Sequence, residues 1–272
     1  MFFVRLFLTA IALMGTAQLI AAAERSLLLQ DQVEQSAQLA AIVDDAWTFT
    51  INGQAQTVAS DQIVRFGAPA AVIKTPLIFL RSGGRIVLQD IALARRELVG
   101  YPSAAFDELK VPLRLVRGIA FRLPLDDRKR QTLFARIENY AGIDDQLLLE
   151  NGDVISGLIA AIQSDAIQLE TAKDSLVIER TRVAAVLFAP SLASPPQDSI
   201  AAWIGLRDGS LLATRDLKMT EDGMEALISR DVALQSIPGL KIERDLIYVA
   251  PQSPRVVYLS DLPEIRSKQV SY

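Results

Sequence analysis

Four pairs of adjacent carboxylates, Asp44–Asp45, Asp107–Glu108, Asp144–Asp145 and Glu221–Asp222, are the residues of this sequence best suited to acid–base chemistry. Two carboxyl groups on either side of a glycosidic bond can act as acid and base, or as acid and nucleophile, in glycoside hydrolysis. Each pair here falls at an expected turn or strand end. Successive strand residues point to opposite faces, so adjacency does not bring two carboxylates to one bond. We therefore read all four pairs as solvated turns. Sugar stacking without hydrolysis needs exposed aromatic faces, and the sequence has only two Trp. Trp47 keeps step with Phe49 and Ile51, opposite Thr48 and Thr50, and reads as core. Trp203 is out of step with Ala202, Ile204 and Leu206. It is the one candidate ligand-binding residue, as an outward platform. Burial between neighbouring structural units is the alternative reading for it.

Much other chemistry is excluded by composition. The 272 residues include no His and no Cys. That removes Ser-His-Asp and Cys-His catalysis, the HExxH zinc helix, thiolate metal sites and disulfide frameworks. Phosphate-binding glycine loops, the S-x-x-K nucleophile, a calcium loop of the D-x-D-x-D-G kind and N-x-S/T sequons are absent as well. No catalytic residue, cofactor or metal site is assigned. A net charge of −4 argues against nucleic acid as a partner. The basic run Arg128-Lys129-Arg130 is offset by Asp126-Asp127 and reads as a solvated helix end.

The elements that would position any site begin after a leader. Residues 1–23 have the order of a secretory signal peptide: Arg5, the apolar run Leu6 to Ile20, then Ala21-Ala22-Ala23. No later apolar run is long enough to span a bilayer, so no transmembrane segment is expected after cleavage. The protein is expected to be secreted, periplasmic or otherwise in the cell envelope.

The rest of the chain repeats itself. Ala40-Ala41-Ile42 matches Ala160-Ala161-Ile162, and Asp45-Ala46 matches Asp165-Ala166, both at an offset of 120 residues. Two further segments share the outline. Each of four units opens with an apolar strand and a turn, at Asp31, Ser82-Gly83-Gly84, Asn151-Gly152-Asp153 and Asp208-Gly209-Ser210. Asn-Gly and Asp-Gly between apolar runs favour hairpins because these residues accept positive φ. Each unit closes on an alternating strand that runs into Pro. Between the second and third units, Asp126-Asp127 caps a helix over residues 128–139, with Leu133, Phe134, Ile137, Tyr140 and Ala141 on one apolar face.

The expected architecture is mainly all-β: tandem small barrel- or sandwich-like units with one short helix. The units fall at residues 24–70, 71–125, 143–190 and 202–251. The helix occupies 126–142, a linker 191–201, and a second linker 252–272 leads into a downstream domain.

Two resemblances add to this. The third unit, with LENGDVISG, IQLET and VAAVLF, resembles half of an Sm-like small barrel. Its turn is acidic (Asp144, Asp145, Glu150, Asp153), and no RNA-binding residues carry over. The closing stretch Val256-Val257-Tyr258-Leu259-Ser260-Asp261-Leu262 looks like the entry into NPCBM, a carbohydrate-binding module family. The chain then resembles the repeated β region that precedes this module in secreted bacterial proteins. That resemblance implies a non-catalytic binding or scaffolding region, associated with polysaccharide or with a downstream carbohydrate-binding domain. A carboxylate-dependent glycosidase and a purely structural spacer are the alternatives.

Overall fold

Alternating apolar and polar residues punctuated by turn formers dictate short antiparallel strands. The computed structural model describes residues 24–30, 32–72, 74–103, 105–190, 199–238, 240 and 242–252. The leader, most of the 191–201 linker and the 256–262 stretch lie outside the described residues. The strands fall into four groups. The first holds β1 (Arg25–Leu29), β2 (Gln35–Val43), β3 (Ala46–Ile51), β4 (Gln54–Ala59) and β5 (Ile63–Gly67). The second holds β6 (Leu77–Leu80), β7 (Gly84–Val87), β8 (Gln89–Ala94), β9 (Glu97–Tyr101), β10 (Leu109–Pro112) and β11 (Val116–Ala120). After the helix α1 (Asp127–Glu138) comes the third, β12 (Asp145–Leu149), β13 (Val154–Ile162), β14 (Ala166–Glu170), β15 (Ser175–Glu179) and β16 (Val183–Leu187). The fourth holds β17 (Ala202–Leu206), β18 (Leu211–Thr214), β19 (Asp216–Thr220), β20 (Gly223–Ser229), β21 (Val232–Gln235) and β22 (Leu246–Pro251). A single 3-10 turn precedes the last strand of every unit.

The repeat found in the sequence is a repeat of geometry. In unit 1, Leu27 faces Phe66 and Leu29 faces Ile63; in unit 3, Leu147 faces Val186 and Leu149 faces Val183. The shared Ala-Ala-Ile triplet marks a β-bulge, between Leu39 and Ala41 in β2 and between Ile159 and Ala161 in β13. A bulge bends a strand and sharpens its twist. Small residues at that point let one long strand leave one sheet and enter another. Units 2 and 4 make the same bend by breaking the strand, between β7 and β8 and between β18 and β19.

Of the units that are neighbours in sequence, only units 2 and 3 pair. One sheet runs through all four units in the order β2-β1-β5-β22-β17-β18-β7-β6-β11-β16-β12-β13. The units therefore lie in the spatial order 1-4-2-3. Two smaller sheets lie beneath its halves. Units 1 and 4 share β4-β3-β2-β19-β20-β21, joined where Ile42 meets Met219. Units 2 and 3 share β10-β9-β8-β13-β14-β15, joined where Ile162 meets Leu93. The two halves are related by an approximate two-fold axis between β7 and β18, where Arg85 pairs with Leu211 and Leu212 with Gly84.

One contiguous core fills the space between the large sheet and the two small ones and draws on every unit, from Leu27 and Phe49 to Ile204 and Val249. A second core lies on the opposite face of the large sheet, under α1. The cap is Asp126, whose Oδ1 accepts the Lys129 amide at 2.9 Å. Phe134 stacks edge-on to Phe79 at 5.2 Å, and Ile137 sits over Gly118. A Cβ on Gly118 would lie 2.7 Å from Ile137 Cγ2, so glycine is what admits the helix. The equivalent strands of unit 4 reverse this trade: Phe79 faces Gly118 in unit 2, whereas Gly205 faces Tyr248 in unit 4. Among the described residues no helix is long and apolar enough to cross a membrane.

The central seam supplies a test. Gly84 has φ +85°, and a Cβ there would lie 2.1 Å from the Leu211 carbonyl oxygen. Gly84→Ala must strain the backbone and push β7 from β18 at once. It is expected to destabilise the protein by at least about 2 kcal/mol in urea unfolding. Gly152→Ala, at a positive-φ turn with open space around it, should cost less.

Candidate functional site

Where units 2 and 3 meet, a cleft of about 320 Å³ opens, the lower end of the range for small-ligand sites. Leu113, Ile143, Leu158, Phe188 and Pro190 give it apolar walls; Arg96, Arg114, Asp144 and Asp145 give it charge. The sequence positions these groups by local rules. Arg95 and Arg96 form the two-residue turn between β8 and β9, with φ +51° and +63°. Such turns favour Asn-Gly, because L-residues in this region carry a steric cost. Two arginines held there are backbone outliers of the kind that gather at functional sites. The turn is fixed by the Leu113 amide, which donates to the Arg96 carbonyl at 2.8 Å. Next to it, Arg114 reaches Asp231 of unit 4 at 2.5 Å in an exposed ion pair. Such a pair contributes little stability, so the guanidinium can exchange partners cheaply.

Asp145 overturns the solvated-turn expectation. It opens β12 with 7% exposure, while Asp144 beside it is exposed. Its Oδ2 accepts the Ile159 amide at 3.0 Å and its Oδ1 accepts the Ala189 amide at 2.8 Å. The carboxylate thus clamps β13 at its bend to the segment that leaves β16. From the other side Arg81 holds the same segment, its Nη2 donating to the Phe188 and Ala189 carbonyls at 3.2 and 2.9 Å. Burial pushes the Asp145 carboxyl above its usual range, against the pull of its two amide donors and of Arg96. Burial likewise lowers the Arg81 guanidinium. In unit 1 the position 120 residues earlier is Arg25, whose guanidinium lies 6.0 Å from the Phe66 ring centroid. The clamp therefore belongs to unit 3 alone.

The other carboxylate pairs, Asp44–Asp45, Asp107–Glu108 and Glu221–Asp222, stand exposed at turns and strand starts. Trp47 is buried in the core at 3% exposure. Trp203 is half-buried on the face of the large sheet opposite Ile204. Its ring reaches the central seam, where Cη2 would lie 3.4 Å from a methyl group on Gly83 of unit 2. The structure does not bring Trp203 to the cleft. Arg81, Arg96 and Arg114 were not singled out in the sequence. Among the described residues no group of three or more metal-ligating side chains gathers. The cleft can hold an anionic or hydroxyl-rich group against its arginines while an apolar surface packs on its walls.

No family model, curated protein or solved structure matches the chain.

Replacing Asp145 tests the clamp. In Asp145→Asn one backbone N–H loses its acceptor and faces an NH2 group, which should cost about 1–3 kcal/mol. The raised carboxyl also sets a sign. Its contribution to stability is full below the unfolded value near 3.8 and is lost as pH rises through the higher folded value. Urea unfolding should therefore show the advantage of wild type over Asp145→Asn shrinking from pH 3.5 to pH 7.

Proposed function

We propose that this chain is an exported, non-catalytic binding scaffold of the cell envelope, and that the cleft between units 2 and 3 takes an acidic polysaccharide. The observation that carries this reading is Arg96, held in a left-handed turn beside Arg114 over apolar walls. Guanidinium groups suit the carboxylates of an acidic sugar, and the less polar face of a sugar ring suits Leu113, Leu158 and Phe188. Asp145 is a poor general acid or base because both its oxygens are engaged by main-chain amides. The resemblance of residues 256–262 to the entry of a carbohydrate-binding module supports the same ligand class. The unbroken sheet also suits a second role, holding a downstream domain at a fixed distance.

A glycan array probed with the purified chain tests the proposal. Binding is expected to acidic polysaccharides and not to neutral ones of the same backbone. The double variant Arg96→Ala, Arg114→Ala should weaken it at least about tenfold, with little change in melting temperature. Silence across the array leaves the spacer role, and full binding by the double variant places the site elsewhere. Trp203→Ala should do the opposite, lowering the melting temperature by loosening the central seam while leaving polysaccharide binding unchanged.

A further inference from the structure

Two opposite charges share the cleft between units 2 and 3 without pairing. Arg96 comes from unit 2 and Asp144 from unit 3; both line the cleft and both are exposed. Neither makes an ion pair with the other or with any other described residue. Each is carried on a fixed support. Arg96 sits at φ +63° in the β8–β9 turn, and its carbonyl accepts the Leu113 amide. The Asp144 carbonyl accepts the Tyr140 hydroxyl, and Asp145 beside it is held through both carboxylate oxygens.

The other charged groups of the cleft already have partners. Arg114 is paired with Asp231, and the buried Asp145 has the Ile159 and Ala189 amides. Arg96 and Asp144 are therefore the lining charges left without one among the described residues. A ligand that offers only carboxylates suits Arg96 and is repelled by Asp144. A ligand that offers only hydroxyls meets each of them through a weaker, singly charged contact. A ligand with a carboxylate for Arg96 and an ammonium for Asp144 satisfies both with oppositely charged hydrogen-bonded pairs.

We propose that the cleft selects a zwitterionic polysaccharide, one whose repeat carries a free amino group as well as a carboxylate. Arg96 takes the carboxylate and Asp144 the ammonium, while Leu113, Leu158 and Phe188 pack on the rings. The proposal rests on the reading of the cleft as an acidic-polysaccharide site, and it makes Asp144 the specificity-determining residue of that site.

Calorimetric titration with one oligosaccharide of alternating hexuronic acid and 2-amino sugar tests this. It is used with its amines free and again fully N-acetylated, at about pH 6, where amines are protonated and carboxylates ionised. N-acetylation removes the positive charge and keeps the carboxylates and hydroxyls. Wild type should bind the free-amine form about two- to fivefold tighter, the span of an exposed ion pair. Asp144→Asn should abolish that preference: the free-amine form weakens, and the N-acetylated form binds at least as well as before. Arg96→Ala should weaken both forms. Both side chains are exposed, so both variants should melt with wild type. Equal binding of the two forms by wild type, or a preference that survives Asp144→Asn, overturns the proposal and leaves the acidic-polysaccharide reading standing. Failure of both forms to bind, with other acidic polysaccharides bound on the glycan array, also overturns this proposal alone. Silence in both assays overturns the two together.

Discussion

Main-chain N–H and C=O groups at a strand edge need partners, and the arrangement of this molecule follows from how its units meet that need. Each unit has two edges to satisfy in the large sheet, one on its last strand and one on its second. The last strands pair unit 1 with unit 4 through β5 and β22, and unit 2 with unit 3 through β11 and β16. The second strands then join units 4 and 2. A chain with no cysteine has no covalent cross-link to fall back on, so these pairings and the core beneath them hold the molecule together. The core crosses unit boundaries throughout, which makes the pairing partner of each unit part of its own stability.

This exchange also sets how the chain must fold. β5 ends at Gly67, yet its neighbour β22 does not begin until Leu246. A pairing of such sequence separation is slow to form, since closure entropy precedes the contacts that offset it. Until unit 4 is made, unit 1 exposes the edge of β5.

The unit outline was legible because it rests on local chemistry. Gly and Asp at turns, alternation in strands and Asp126 before an apolar helical face act within a few residues of each other. The constant 120-residue offset was legible too, and it proved to mark the bulge that bends β2 and β13. The spatial order of the units was not legible. It is written in main-chain hydrogen bonds between edges, which leave almost no mark on side-chain pattern. The cleft inherits that opacity: Arg96 and Arg114 come from unit 2, and Asp145 and Leu158 from unit 3. Asp145 was hidden by its neighbour. The strand rule that kept Asp144 and Asp145 from one bond also sends one of them inward, and Arg25 at the equivalent position was the available hint.

The two-fold relation between the halves has a consequence for what this protein can become. Two identical subunits arranged this way would carry every feature twice. Because both halves are written in one polypeptide, each position can drift away from its counterpart. Arg25 and Asp145 have separated into a ring contact and a clamp. Phe79 with Gly118, and Gly205 with Tyr248, have separated into a helix-covered strand pair and one without that helix. Glu34 and Val154 have separated into an ion-paired position and an uncharged one. The chain keeps the packing of a symmetric assembly while having a left and a right, so a cleft built on one half need not be repeated on the other.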